Sequence, residues 1–210
     1  MGVSYETNEF DEEVVKLLKN GGVGFMPSDT IYGLSAPALD KKAVERLYEL
    51  KKRDKNKPLV ILIADTTQLA DLGIDTLEAV PALRYWPGKL TIITEANDAP
   101  KWLHRGTDSL GVRQPANEEL RRLIAEVGPI VSTSANLQAG QPASSVRQAK
   151  KDFGDKLDFY VNTGRLRGKP STIIKENGYR GLEVIRQGAV KVVTSGKKAK
   201  QLSQTRPWPK

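Results

Sequence analysis

Residues 59–64 form a run of six consecutive apolar side chains, and this run constrains the fold more than any other feature of the chain. A strand that is apolar on both faces must be covered on both faces, as in sheets with helices packed on them. A helical pattern precedes it, because Asp40 can cap a helix whose apolar residues share one face. The apolar residues of that helix are Val44, Leu47, Tyr48 and Leu50. The run therefore predicts a buried strand within an α/β sheet.

The rest of the chain alternates between helical and strand patterns. The predicted helices besides the one that Asp40 caps are 8–20 (capped by Asn8), 67–72, 76–84, 117–126 and 145–153. The predicted strands besides 59–64 are 23–26, 90–94, 109–113, 129–131, 159–161, 171–174 and 182–185. Short helices alternate with strands at first, and three strands come almost in succession at the end. We therefore expect one α/β domain at 8–190, a twisted, mixed parallel/antiparallel open sheet with flanking helices.

The composition excludes several classes of protein. Without cysteine, the chain can form neither disulfides nor thiolate metal sites. No apolar run approaches the roughly 20 residues of a membrane helix, and the N-terminus lacks the layout of a secretory signal. We expect a cytoplasmic protein without a membrane partner.

The net charge of +8 is concentrated in two segments. Residues 191–210 contain six Lys/Arg and no acidic residue, and residues 41–57 contain eight basic and three acidic residues. The tail 191–210 has the composition of a solvated, disordered extension, and its charge could also bind a phosphate backbone.

Two apolar runs break abruptly into small polar residues. The sequence PSDTIYGL at 27–34 follows the strand 23–26, and STSAN at 132–136 follows the strand 129–131. Between them in the chain, the cationic segment 51–58 leads into the strand 59–64. Open α/β sheets place their ligand loops beyond strand ends. Hydroxyl-bearing loops at two strand ends and a cationic loop at a third indicate a polyphosphate pocket without a P-loop.

These segments resemble the YrdC/Sua5 family, the L-threonylcarbamoyladenylate synthases of tRNA modification. The matching motifs are PSDTIYGL at 27–34, KKR with KPL at 51–59, WPGKLTII at 86–93, SLGVR at 109–113, STSAN at 132–136, PSTIIK at 170–175 and IRQG at 185–188. Seven motifs in the family's order are hard to obtain by chance. The resemblance implies a YrdC-like domain in the short form that lacks the family's C-terminal Sua5 domain.

The resemblance implies that L-threonine, bicarbonate and ATP give threonylcarbamoyl-adenylate and pyrophosphate. A separate threonylcarbamoyl transferase complex then modifies adenosine 37 of tRNA to t6A. The nucleophile comes from the substrate, so catalysis needs positioning and charge stabilisation rather than an activated Ser or Cys. Mg²⁺ is expected to arrive with ATP, since no residue cluster has metal-ligand spacing. The basic surface and tail are expected contacts for tRNA.

The resemblance also assigns roles to twelve residues. Lys51 and Arg53 are the catalytic cations, which bind the triphosphate of ATP. The other ATP-binding residues are Ser109, Ser134, Asn136, Ser144 and Arg186. The threonine-binding residues are Thr30, Tyr32, Arg113, Ser132 and Ser171. Because a buried, unpaired Arg is costly, Arg113 at the end of an apolar strand needs an anionic partner, which the family match makes the threonine carboxylate.

Four positions differ from the family pattern or take no catalytic role. Ser28 replaces the usual Thr, and Lys57 stands where many members have Asn. One extra residue follows Asn136, so the next ATP-contacting serine is Ser144 or Ser145, and we favour Ser144. Asp29 is expected to shape the first loop rather than to act as a base.

Other functions compete with the synthase. An RNA-binding module without synthase activity would also explain the net charge and could stack bases on Trp86 and Trp102. The related carbamoyl transfer of hydrogenase maturation is disfavoured, because the chain has no cysteine for a zinc-finger region. An adenylating enzyme for another amino acid stays open, since these loops do not specify a side chain.

Overall fold

The computed structural model describes residues 3–74, 81–137, 140–176 and 182–192 of the chain. Its strands are β1 (Tyr5–Thr7), β2 (Gly24–Met26), β3 (Gly33–Pro37), β4 (Val60–Leu62), β5 (Leu90–Glu95), β6 (Ser109–Arg113), β7 (Ile130–Ser134), β8 (Phe159–Val161), β9 (Thr172–Glu176) and β10 (Leu182–Arg186). They form one sheet in the order β1-β8-β2-β3-β7-β4-β6-β5-β9-β10. The sheet contains both parallel pairs, such as β4–β6, and antiparallel pairs, such as β3–β7. The predicted mixed open sheet is confirmed.

Helices flank this sheet. The α-helices are α1 (Glu12–Lys19), α2 (Lys41–Lys51), α3 (Lys101–His104), α4 (Glu118–Val127) and α5 (Val146–Phe153). The 3-10 helices are Thr66–Leu72, Pro81–Tyr85 and Gly154–Lys156. No helix among the described residues is both long enough and apolar enough to cross a bilayer.

Local capping explains where the helices begin. The Asp40 carboxylate accepts hydrogen bonds from two backbone N–H groups of α2, as predicted. Asn117 and Ser145 cap α4 and α5 in the same way. The prediction that Asn8 caps α1 is wrong, because Asp11 accepts the bond from Val14 N.

Three other predictions need correction. The regions predicted as short helices are 3-10 helices, at Thr66–Leu72 and Pro81–Tyr85, and residues 75–80 lie outside the described residues. Strand β3 was not predicted, because its sequence GLSAP mixes Gly, Ser and Pro. Ser132 to Ser134 lie in strand β7 and not in a loop, because β7 pairs with β3 on one side and with β4 on the other.

The core lies on both faces of the sheet. On one face, Ile61 and Ile63 belong to a buried cluster with Leu47 and Phe153 of helices α2 and α5. On the other face, Leu62 and Ala64 pack in a cluster with apolar residues of α1 and α4. The run 59–64 is therefore covered on both faces as predicted, although its strand is shorter.

Strand pairing brings the sequence motifs together. In the β3–β7 pair, Gly33 lies opposite Ser134 and Ser35 lies opposite Ser132. In the parallel β4–β6 pair, Leu62 lies opposite Arg113. The two hydroxyl-rich motifs, the strand that follows the cationic segment, and Arg113 therefore occupy neighbouring strands.

Candidate active site

A cavity of about 240 Å³ is lined by the β2–β3 loop, β7, the cationic segment and the start of β9. Eight of the twelve assigned residues line it: Thr30, Tyr32, Arg53, Arg113, Ser132, Ser134, Ser171 and Arg186. The lining residues without an assigned role are Ser28, Ile31, Gly33, Pro58, Leu59, Val60, Leu62, Thr133, Pro142 and Pro170. Three arginines and no acidic residue are among these described lining residues, so the cavity suits an anion.

The β2–β3 loop presents hydroxyl groups to the cavity. Ser28 Oγ donates to Ile31 O at 2.7 Å and lies 2.8 Å from Thr30 Oγ1. Arg113 Nη1 also donates to Thr30 Oγ1, at 3.2 Å. The loop thus holds Thr30 between a hydroxyl group and a cation.

Arg113 has an anionic partner within the protein. Its Nη2 lies 3.2 Å from Asp29 Oδ1, and the two side chains are only 4% and 8% exposed. Asp29 Oδ2 accepts from Ala116 N at 3.1 Å, so Asp29 also connects the loop to the segment after β6. Burial lowers the pKa of the Arg113 guanidinium, and the charge of Asp29 opposes this shift. Arg113 Nε is buried without a hydrogen-bond partner among the described residues.

Backbone carbonyls hold the other two arginines. Arg53 donates from Nε to Lys57 O and from Nη2 to Pro58 O, both at 3.1 Å. Arg186 donates from Nη2 to Ser171 O at 3.0 Å. Burial lowers the pKa of Arg186, and the charges of Arg113 and Arg53 lower it further. This mutual repulsion favours binding of an anion with several negative charges.

Lys51 lies beneath the second motif rather than in the cavity lining. It is 3% exposed, and its Nζ donates to the backbone oxygens of Ser134 and Asn136, the latter at 3.0 Å. Its Nζ also lies 2.9 Å from Asn136 Oδ1 and 3.3 Å from Ser134 Oγ. Burial and the neighbouring charge of Arg53 lower the pKa of Lys51 to about 7. In this geometry Lys51 holds residues 134–136 in place, and its contact with phosphate stays a prediction.

Tyr32 connects the first motif to residues 162–170, which we call the strap. The Tyr32 hydroxyl donates to Gly164 O at 2.8 Å and accepts from Thr163 N at 3.0 Å. A Cβ atom at Gly168 would lie 2.0 Å from Thr30 O, so only glycine allows the strap to pass this close. The structure gives Tyr32 a role in holding the strap, and its contact with threonine stays a prediction.

The remaining assigned residues fall into two groups. Ser132 and Ser171 line the cavity, where Ser132 Oγ accepts from Ser35 Oγ at 3.3 Å and Ser171 Oγ lies 2.8 Å from Thr91 Oγ1. Asn136 lies behind the cavity, where its Oδ1 accepts from Ser134 Oγ at 2.6 Å.

Two assigned serines lie away from the lining. Ser109 is at the start of β6, at the opposite end from Arg113, and its Oγ donates to Thr107 O at 3.2 Å. Ser144 Oγ donates to Gln148 Oε1 at 2.9 Å. The alternative, Ser145, caps α5. The structure does not bring these serines to the cavity, and their contacts with ATP stay predictions.

The partnership of Asp29 with Arg113 was not predicted from the sequence. The position of Arg113 at the end of an apolar strand indicates a need for an anion, but no local pattern connects two residues so far apart in the chain. Pro142 and Thr133 were also missed as lining residues. The described residues contain no group of three or more His, Asp or Glu side chains that could hold a metal ion.

A model of the Sua5/YciO/YrdC family, described as "Telomere recombination", matches residues 16–188. The chain belongs to the Sua5/YciO/YrdC family. The predicted family is thereby confirmed.

Among curated Sua5/YciO/YrdC relatives, the chain is 36% identical over 182 residues to a threonylcarbamoyl-AMP synthase of Stutzerimonas stutzeri, covering 83% of this chain and 95% of the relative. It is 35% identical over 162 residues to a threonylcarbamoyl-AMP synthase of Pyrococcus abyssi, covering 75% of this chain but 48% of that longer relative.

The crystal structure of P. abyssi Sua5 complexed with L-threonine superposes on this fold with a TM-score of 0.79. The two sequences are 31% identical, and the match covers 89% of this chain and 58% of the other. The match extends the family relationship from sequence motifs to the arrangement of the strands.

Proposed function

We propose that this chain is an L-threonylcarbamoyladenylate synthase, which makes threonylcarbamoyl-AMP and pyrophosphate from L-threonine, bicarbonate and ATP. One observation carries the proposal: three guanidinium groups face one cavity that is lined by hydroxyl groups and by no acidic residue among the described residues. Polyphosphates and carboxylates are the ligands that such a cavity suits.

In the proposed reaction, bicarbonate takes up a proton and loses water to give CO2, and the amine of threonine adds to CO2 and releases a proton, which gives a carbamate. A carbamate oxygen then forms a bond to the α-phosphorus of MgATP, and the bond between that phosphorus and the α,β-bridging oxygen breaks. The leaving group is pyrophosphate. The protein supplies no nucleophile, so its contribution is to position both substrates and to stabilise negative charge.

In this proposal the two substrates divide the cavity between them. Arg53 and Arg186 would bind the phosphates of ATP, and Ser134 would contact the nucleotide. Arg113 would bind the threonine carboxylate together with the hydroxyl group of Thr30. Lys51 would act on the phosphates directly or through residues 134–136, which it holds.

The product would pass to a threonylcarbamoyl transferase complex that modifies adenosine 37 of tRNA, and we place this chemistry in the cytoplasm. Contact with tRNA would use the basic tail 191–210, which lies outside the described residues from residue 193 onward. Deleting residues 193–210 should then flatten the salt dependence of tRNA binding. Unchanged salt dependence would count against the tail as the tRNA contact.

The test is to incubate the purified protein with MgATP, bicarbonate and L-threonine, and to follow pyrophosphate release with mass detection of the adenylate. Release should need both threonine and bicarbonate and should be lost in Arg53→Ala. Arg122→Ala is the matched control, because Arg122 is exposed on α4, where it forms an ion pair with Glu118, and neither residue is among the described residues that line the cavity. Release with a different amino acid would change the substrate, and tRNA binding without turnover would favour the RNA-binding module.

A further inference from the structure

Helix α2 contacts the cationic segment 51–58 through the hydroxyl group of Tyr48. This side chain is 1% exposed, and its hydroxyl donates to Lys57 O at 2.9 Å. Burial raises the pKa of Tyr48, so the hydroxyl keeps its proton and remains a donor at neutral pH. The same Lys57 carbonyl accepts the bond from Arg53 Nε at 3.1 Å. Tyr48 and Arg53 thus share one acceptor.

A second set of contacts holds Tyr48 itself. The guanidinium carbon of Arg105 lies 4.2 Å from the centre of the Tyr48 ring, and Arg105 Nη1 lies 2.7 Å from Glu45 Oε1. Glu45 Oε2 also lies 3.2 Å from Lys55 Nζ. Glu45 and Tyr48 are one turn apart on α2, so this helix is bound to the cationic segment at two points.

We propose that Tyr48 is a positioning residue for ATP binding, acting through the orientation of Arg53. The hydroxyl fixes the Lys57 carbonyl, and that carbonyl together with Pro58 O fixes the guanidinium plane. A guanidinium binds phosphate oxygens through a planar fork, so its orientation sets its affinity. The inference rests on the proposed function, in which Arg53 binds the phosphates of ATP.

The variant Tyr48→Phe removes the hydroxyl and keeps the ring under Arg105. Losing one hydrogen bond that orients Arg53 should weaken MgATP binding about three- to tenfold, measured by calorimetry. Threonine binding should not change, because Arg113 is held by Asp29 and not by this segment. A merely structural role would weaken both ligands or neither.

Tyr160→Phe is the matched control. Tyr160 is fully buried, and its hydroxyl donates to the backbone carbonyl of Gly154 at 2.6 Å, away from the cavity lining. Both variants therefore lose one partly buried hydroxyl-to-carbonyl bond. Only Tyr48→Phe should weaken MgATP binding, and an equal effect of the two variants on that binding would overturn the proposal.

The double variant with Arg53→Ala separates this inference from the proposed function. If Tyr48 acts through Arg53, then Tyr48→Phe should have no further effect on MgATP binding once Arg53 is Ala. The same factor in both backgrounds would overturn the inference. If Arg53→Ala alone leaves MgATP binding intact, then the phosphate role of Arg53 fails first, and the inference fails with it.

Arg105→Met provides a second route that leaves Tyr48 in place. The methionine side chain covers the ring but removes the cation and its bond to Glu45. Like Tyr48→Phe, this variant should weaken MgATP binding, but by a smaller factor, and it should leave threonine binding unchanged. A loss confined to threonine binding would contradict the proposal.

Discussion

Arg113 and Arg53 reach the same cavity, but the protein holds them by different means. Arg113 pairs with the carboxylate of Asp29, whereas Arg53 donates to the backbone carbonyls of Lys57 and Pro58. A carboxylate compensates the charge that it orients. A carbonyl orients a guanidinium and leaves its charge in place. This difference supports the proposal that Arg113 binds a singly charged carboxylate and that Arg53 binds a polyphosphate.

Replacing Asp29 by Asn tests the ion pair that holds Arg113. We expect this change to have the largest effect on the free energy of unfolding. Asn removes the charge, so Arg113 becomes a buried cation without an anionic partner, which should cost about 3–5 kcal/mol of the free energy of unfolding. Urea unfolding measures the loss.

The control for Asp29→Asn is Glu118→Gln, which breaks the exposed pair of Glu118 with Arg122 on α4. That change should cost less than about 1 kcal/mol. Similar losses in the two variants would mean that burial gives the Asp29 pair no special weight.

Measuring MgATP binding and threonine binding separately tests whether Arg53 and Arg113 act on different substrates. Arg53→Ala should weaken MgATP binding by about 1.5–3 kcal/mol, roughly 10- to 200-fold, and leave threonine binding nearly unchanged, because Arg53 donates to Lys57 O and Pro58 O and to no assigned threonine-binding residue among the described contacts. Arg113→Lys keeps a charge for Asp29 but loses the planar fork, so it should weaken threonine binding instead. Calorimetry with each ligand measures both effects. If each variant weakened both ligands alike, the division of the cavity would be wrong.

Lys51 is held in a third way, by neutral oxygen atoms of Ser134 and Asn136. Its pKa is lowered from 10.5 to about 7, so between these values the unfolded chain binds more protons than the folded chain. Lys51 therefore makes the free energy of unfolding rise with pH from about 7 toward 10.5, by at most about 1.4 kcal/mol per pH unit. Urea unfolding at pH 7 and pH 8.5 should show a larger increase for the wild type than for Lys51→Met. Parallel increases would contradict the lowered pKa.

Tyr32→Phe should have the smallest effect, because it removes only the hydroxyl that holds the strap. We expect a loss of about 1 kcal/mol and faster trypsin cleavage after Arg165 and Arg167, which are exposed in the strap. Digestion followed by mass spectrometry locates the cleavage. Tyr160→Phe is again the control and should leave cleavage in the strap unchanged. Unchanged cleavage in Tyr32→Phe would show that other contacts hold the strap.

The sequence predicted best those elements that have strong local signals. The Asp40 cap of α2 and the doubly covered run at 59–64 both follow from residues that are neighbours in the chain. Strand β3 escaped prediction because its Gly, Ser and Pro residues have low strand propensity. Its two neighbours, β2 and β7, supply the pairing that makes it a strand.

The candidate site shows the same contrast between what local sequence predicts and what only tertiary contacts decide. The motif order was enough to identify the family and to select eight residues that line one cavity. The motif order did not distinguish residues that line the cavity from residues that support it. Lys51 and Asn136 lie behind Ser134, and Ser109 lies at the far end of β6.

Apolar periodicity, capping residues and motif order are properties of short segments, so the sequence alone reveals the fold class and the family of this chain. The pairing of Arg113 with Asp29 and the shared acceptor of Tyr48 and Arg53 appear only in the tertiary structure. Strand order and register set distances between residues that are remote in the chain. Such distances decide which cations are compensated and which keep their charge for a substrate.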